Sequence, residues 1–334
     1  MVKNNLCSYC GSNNVQIVDS YKSLYYSCKN CGVLKRNRKE KYIFDNFFLK
    51  YLIKKSPLNK LIGSSLLAND KINEDSNYSS IYEYYAEVLN ENQTIKGTKW
   101  ENIYNTLSYQ LNESKIEVAN KTILDISGGP GLIAKELDKH AKKVYVTEFS
   151  DISCKAMKES LELEVLKFDY SKDNISKLFS EKFDIVLIIN SIFFCHDIKS
   201  FFESLKYIIE ENGFIIIYTI NPSLGTIIKE QFVDYTYEVL YPPSIIEEEL
   251  IKNGFKKISV QDFSTRSYDR VIGGELYSKN KIVNSIWGIL RTMQKYYIKK
   301  SKNKLIKNDL TIVDTCLIFK KISPNHKLKN RTTI

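Results

Sequence analysis

The sequence predicts an α/β fold, a parallel sheet covered by helices on both faces, with a small cysteine-rich unit ahead of it. Three observations carry this. Residues 121–137 run from the apolar Ile123-Leu124-Asp125-Ile126 through Ser127-Gly128-Gly129-Pro130-Gly131 into Leu132, Ile133 and Leu137 at helical spacing. From there to residue 321, short apolar runs alternate with helical patterns, as crossover units of a parallel sheet require. Ahead of all this stand two C-x-x-C-G units, Cys7-Ser8-Tyr9-Cys10-Gly11 and Cys28-Lys29-Asn30-Cys31-Gly32.

The 334 residues suffice for one large domain and a small appendage, and the 43% apolar and 26% charged shares are those of a globular protein. The net charge of +10 points to an anionic partner: nucleic acid, a nucleotide-linked substrate or an acidic membrane surface. An AT-rich genome favouring Lys, Asn, Ile and Tyr codons accounts for it equally well. No segment reaches the ~18 uninterrupted apolar residues of a membrane span, and no apolar core follows Met1-Val2-Lys3 as in a signal peptide. A cytoplasmic location is expected.

In chain order, each cysteine pair presents two thiolates from a tight turn, and the glycine after it lets the backbone fold back. With Val15–Val18 and Leu24–Ser27 as hairpin strands, Cys7, Cys10, Cys28 and Cys31 converge tetrahedrally, the arrangement of a structural zinc ribbon. Redox dithiols would want a βαβ context, and a disulfide framework an oxidising compartment. The basic segment Lys35, Arg36, Arg38, Lys39 and Lys41 follows, as a solvated linker or a nucleic-acid patch. Cys154, Cys195 and Cys316 sit in apolar runs and read as core. Residues 1–40 form the ribbon, and 41–120 a helical connecting region with apolar clusters at 44–53, 81–89 and 98–111 around a polar loop at 69–80.

The main domain, 121–322, opens with the glycine corner, where backbone amides can approach a ligand because no Cβ intervenes. The dinucleotide fingerprint G-x-G-x-x-G is absent. A second strand, 143–148, ends in Glu148, a carboxylate suited to a ribose diol. A third, 163–170, ends near Asp169 and Tyr170; the fourth, 183–190, closes at Asn190. His196 follows on the loop beyond that strand, at the edge where open α/β sheets bind ligands, and is the candidate general base. A loop histidine that only caps the next helix is the competing reading. Then come a helix ending at Asn212-Gly213, a fifth strand 214–218, an aromatic insertion 222–241, a helix 245–253, a strand 257–263 and a closing strand 310–320. Between the last two, 264–309 carries a basic amphipathic helix, 281–304, able to dock on the core, cover the site or meet nucleic acid or anionic lipid. Residues 323–334 form a disordered tail.

Asp125-x-Ser127-x-Gly129-x-Gly131 resembles motif I, D/E-x-G-x-G-x-G, of the class I S-adenosylmethionine-dependent methyltransferases, with Ser127 where that family has its first glycine. The resemblance covers 121–321. It implies a Rossmann-like seven-stranded sheet, its last strand inserted antiparallel, and S-adenosyl-L-methionine as cofactor. It also implies roles: Gly129 and Gly131 around the methionine moiety, Glu148 on the ribose, Phe149, Asp169 and Tyr170 about the adenine, and Asp125, Ser127, Gly128 and Asn190 among the other cofactor-binding residues. Helices ahead of the first strand cover the cofactor in that family, which brings in Tyr82, Tyr84, Tyr85 and Trp100. Cys195 stands where the family often has glutamate, so that acid's role does not transfer. With the ribbon in front, the chain resembles bacterial methyltransferases of nucleotide sugars and surface-polysaccharide intermediates. An rRNA or tRNA methyltransferase with a zinc-binding head and a non-catalytic scaffold are the alternatives. The loop 190–196 has no N-P-P-Y-like signature and no catalytic cysteine arrangement.

Overall fold

A computed structural model describes residues 6–19, 24–36, 85–86, 88–89, 93–222, 237–264 and 313–322. The apolar cluster 44–53, the loop 69–80, Tyr82, Tyr84, the basic helix 281–304 and the 323–334 tail lie outside the described residues. The chain divides into two compact units.

The first unit holds the ribbon. β1 (Val15–Asp19) and β2 (Leu24–Cys28) form the expected hairpin, in register Val15↔Cys28 to Asp19↔Leu24. The sheet does not stop there. β3 (Leu34–Arg36) pairs with β2, and β9 (Val239–Leu240) pairs with β3, giving the order β1-β2-β3-β9. The end of the aromatic insertion is therefore the ribbon's fourth strand. Its residues Tyr237, Glu238, Val239, Leu240 and Tyr241 are all buried. The buried Tyr25 donates its hydroxyl to the Tyr237 carbonyl at 3.0 Å, and Arg36 pairs with Glu238 at 3.4 Å.

The second unit is the sheet of seven strands in the order β10-β11-β8-β7-β4-β5-β6. β4 (Thr122–Ile126) lies between β5 (Lys143–Glu148) and β7 (Phe183–Ile189), parallel to both; β5 pairs in parallel with β6 (Glu164–Lys167) and β7 with β8 (Ile209–Ile220). The last strand, β11 (Val313–Lys321), enters between β8 and β10 (Phe255–Ser264). Strands buried on both faces read as continuous apolar runs, and β7 (FDIVLII) and the Ile215–Ile217 run of β8 do so.

The helices are α1 (Lys99–Glu113), α2 (Leu132–Asp138), α3 (Asp151–Leu161), α4 (Ile198–Ile208) and α5 (Pro243–Lys252). Residues 85–86 and 88–89 are helical as well, inside the expected 81–89 segment. α3 starts where the Ser150 hydroxyl accepts from the Ser153 amide, and α4 where Asp197 accepts from Ser200. α4 buries Ile198, Phe201, Phe202, Leu205 and Ile208, the one-sided spacing of an amphipathic helix.

Two boundaries differ from the sequence reading. β6 ends at Lys167 rather than near residue 170, because the Asp169 carboxylate accepts from the Ser171 amide at 2.8 Å and turns the chain out of the sheet. The fifth strand of the sheet region starts at Ile209, not at Phe214. Asn212 (φ 67°) and Gly213 form an irregularity inside β8, so the pairing jumps from Phe183↔Ile209 to Ile185↔Phe214. Lys321 holds that junction, donating to the carbonyls of Lys206 and Ile209 at 2.9 and 2.8 Å.

Candidate active site and metal centre

The carboxyl ends of β4, β5 and β7 converge on the glycine corner. Gly129 and Gly131 adopt φ of 62° and 74°, a region that favours glycine. Gly128 has no room for a side chain: a Cβ there would lie 2.7 Å from Val146 and 2.9 Å from the Asp125 carboxylate. On Gly129 a Cβ would meet the ring of Tyr85 at 3.5 Å, and Tyr85 stands edge-on to the buried Trp100 at 6.0 Å. An aromatic pair thus covers the corner from the helices ahead of the sheet.

Glu148 is 4% exposed and reaches back across the strand ends. One oxygen accepts from the Gly129 amide at 3.0 Å and the other from the Phe149 amide at 2.7 Å. Burial pushes its carboxyl up to about 7, although the Phe149, Gly129 and Ser150 amides pull the other way. Asp125, 1% exposed, is raised to about 7 by burial and by the neighbouring Glu148. Its Oδ1 has no hydrogen-bond partner, and neither does the buried Oδ1 of Asn190 at the end of β7. Orphaned buried acceptors are costly, and a bound group carrying N–H or O–H donors would relieve them.

Beyond β6, Asp169 spends its carboxylate inside its own turn, on the Ser171 amide and hydroxyl and on Lys172 at 3.3 Å. Tyr170 packs edge-on to Phe168 and tilted against Phe201, at 5.0 and 5.1 Å between ring centres, with its hydroxyl 3.1 Å from Ser191 Oγ. Phe149, by contrast, is 42% exposed beside Glu148, an apolar ring at the rim of the corner. His196 is half-buried on the loop between the 3-10 turn Ile192–Phe194 and α4. Cys195 beside it is fully buried and its thiol is pushed well above the usual range by desolvation, which makes it inert. Sequence reasoning passed over Thr147 and Ser191. The Thr147 hydroxyl accepts from the Ser127 amide at 3.2 Å, and Ser191 Oγ donates to the Ile126 carbonyl at 3.2 Å. The available signal was position: each is a small hydroxyl residue at the carboxyl end of an apolar strand.

In the ribbon, the four sulfurs of Cys7, Cys10, Cys28 and Cys31 lie within 4.8 Å of one another. The Cys7–Cys31 and Cys10–Cys28 separations are 3.6 and 3.5 Å. Thiolates about 2.3 Å from a tetrahedral zinc stand roughly 3.8 Å apart, so the four fit such an ion with little adjustment. Gly11 and Gly32 take φ of 71° and 75° after the second cysteine of each pair, closing the two turns.

Residues 124–217 match the family described as "Methyltransferase domain". No curated protein matches. Among solved structures, the chain is similar to a putative sarcosine dimethylglycine methyltransferase from Galdieria sulphuraria, at 10% identity and a TM-score of 0.48 over 66% of this chain and 86% of that one. It is similar to a coclaurine N-methyltransferase bound to N-methylheliamine and S-adenosylhomocysteine, at 14% identity and 0.49 over 82% and 94%. The [4+2]-cyclase SpnF is alike to the same degree, at 11% identity and 0.49 over 73% and 93%. The fold is that of the class I S-adenosylmethionine-dependent methyltransferases, preceded by a four-cysteine cluster able to chelate a metal.

Proposed function

We propose that this S-adenosylmethionine-dependent methyltransferase acts on a small acceptor of carbohydrate type, a nucleotide sugar or surface-glycan intermediate, and that its ribbon carries a structural zinc. The single observation that carries the reading is the Glu148 carboxylate, buried at the end of β5 and locked onto the Gly129 amide, beside two buried acceptors without partners. Glu148 binds the ribose diol. Gly129 and Gly131 let the backbone approach the amino-acid end, and Asp125 and Asn190 accept from its N–H donors. Phe149 and the 168–170 turn border the adenine.

The cofactor supplies a methyl group on a sulfonium, whose leaving thioether is neutral. The chain therefore has no developing anion to stabilise at the leaving group, and its work is orientation and dehydration. The Tyr85–Trp100 pair excludes water from the corner. His196 takes the proton of the accepting oxygen or nitrogen as the new bond to carbon forms. In the ribbon, four thiolates fill a tetrahedral shell and leave no position for substrate, so the metal's role is to fold that unit. The acceptor assignment rests on the ribbon-plus-domain layout; the net charge of +10 suits a nucleotide-linked acceptor and favours the RNA alternative as well.

The test is turnover with methyl-labelled S-adenosylmethionine. Label should pass to a pool of nucleotide sugars and not to total RNA, and His196→Ala should slow transfer by 10²-fold or more if a proton is removed there. Label found in RNA, with binding that weakens steeply in salt, would move the protein to the nucleic-acid class.

A further inference from the structure

Two residues at the corner are held in the left-handed region without being glycine: Ser127 at φ 57° and Asn190 at φ 52°. Each costs about 1 kcal/mol or more, and such conformations persist only where the surroundings impose them. The imposing contacts can be traced by following protons. Ser191 Oγ has one proton and gives it to the Ile126 carbonyl at 3.2 Å. Its lone pairs are then left to accept, so at 3.1 Å the Tyr170 hydroxyl is the donor. The circuit runs from the turn after β6, through the loop after β7, to the carbonyl of the last residue of β4.

We propose that Tyr170 is a positioning residue whose hydroxyl, through Ser191, locks the loop after β7 onto the end of β4 at the glycine corner and so fixes where the Asn190 amide points. The tyrosine acts through its oxygen, while its ring packs within the chain, edge-on to Phe168 and tilted against Phe201. The inference rests on the cofactor reading above, since Asn190 matters to catalysis only if the corner holds S-adenosylmethionine.

The experiment compares Tyr170→Phe and Tyr170→Leu in the full chain, by calorimetric titration with S-adenosylhomocysteine and by amide hydrogen exchange. Tyr170→Phe, which keeps the ring, should weaken binding about fivefold. It should also speed exchange at residues 190–195 by a similar factor, leaving the amides of α1 unchanged. A Tyr170→Phe protein that binds like the parent with unchanged exchange at 190–195, while Tyr170→Leu weakens, would overturn the inference in favour of a ring-face role. If the parent binds no S-adenosylhomocysteine, the cofactor reading fails instead, and the exchange comparison at 190–195 still decides whether the circuit holds the loop.

Discussion

The glycine corner and the cysteine ribbon use the same device, a left-handed glycine that lets the backbone double back, but they are held together differently. Every residue of the corner comes from 125–131, 147–149 or the neighbouring strand ends, and beneath it lies a large apolar core that includes Ile123, Val146, Leu187 and Ile216. The ribbon has few large buried side chains of its own, Tyr25, Val33 and Leu34 among them, and borrows the rest from 237–241. A unit that small cannot be stabilised by burial alone, and metal binding is the usual supplement. One region is rigid because it is built on a sheet. The other is built around four cysteines able to chelate a metal and around a strand brought from two hundred residues away.

Removing a thiolate should therefore have the largest effect, and a localised one. In Cys28→Ser, or after chelation, the ribbon should lose its fold and amides 237–241 should exchange more than 100-fold faster, since structural zinc contributes on the order of 10 kcal/mol in small domains. The amides of α2 should keep their protection; their loss in step with 237–241 would show that the two regions do not differ as described.

Glycine substitutions sharpen the contrast. At Gly131 a Cβ would meet Met157 Sδ at 2.6 Å and the backbone is at φ 74°, so Gly131→Ala should cost roughly 3 kcal/mol in urea unfolding. At Gly11 the φ is 71° but nothing lies within 4 Å, so Gly11→Ala should cost about 1 kcal/mol. Equal losses at the two positions would mean that crowding under the corner is not what distinguishes them.

The pH dependence belongs to the corner. Burial raises Asp125 and Glu148 to about 7, above their ordinary values of 3.8 and 4.5, so the folded chain holds more protons than the unfolded one between about 4 and 7. Their contribution to stability is full below about 4 and is lost as pH rises through 7. The cofactor-free protein should be roughly 4 kcal/mol less stable at pH 7.5 than at 5.5, about 2 from each group, and Asp125→Asn should about halve the slope. A slope unchanged by that substitution would assign it to other groups. Smallest of all, Tyr25→Phe in the ribbon and Asp197→Ala at the start of α4 should each cost about 1 kcal/mol, one losing the bond to the Tyr237 carbonyl and the other a helix cap.

The same contrast explains what the sequence could reveal. The corner was legible because its parts are contiguous: Asp125 to Gly131 is a single run, and Glu148 closes the next strand. The cysteine pairs were legible because ligand spacing is a local property. β9 was not, since two residues inside an aromatic stretch carry no periodicity, and only the assembled sheet shows Val239 and Leu240 opposite Lys35 and Leu34. The start of β8 was misjudged because Asn212-Gly213 is turn chemistry wherever it occurs, and here the strand passes through it. Ser127 read as a departure from a pattern, and only the folded chain shows that it sits at φ 57° as the glycines beside it do.

The most direct measurement is calorimetric titration of the purified chain with S-adenosylhomocysteine, alongside Glu148→Ala. A single site saturating at micromolar concentration in the parent, weakened tenfold or more by the substitution, is the result expected of a corner built to grip that molecule. No heat in the parent, or equal affinity without the carboxylate, would contradict it.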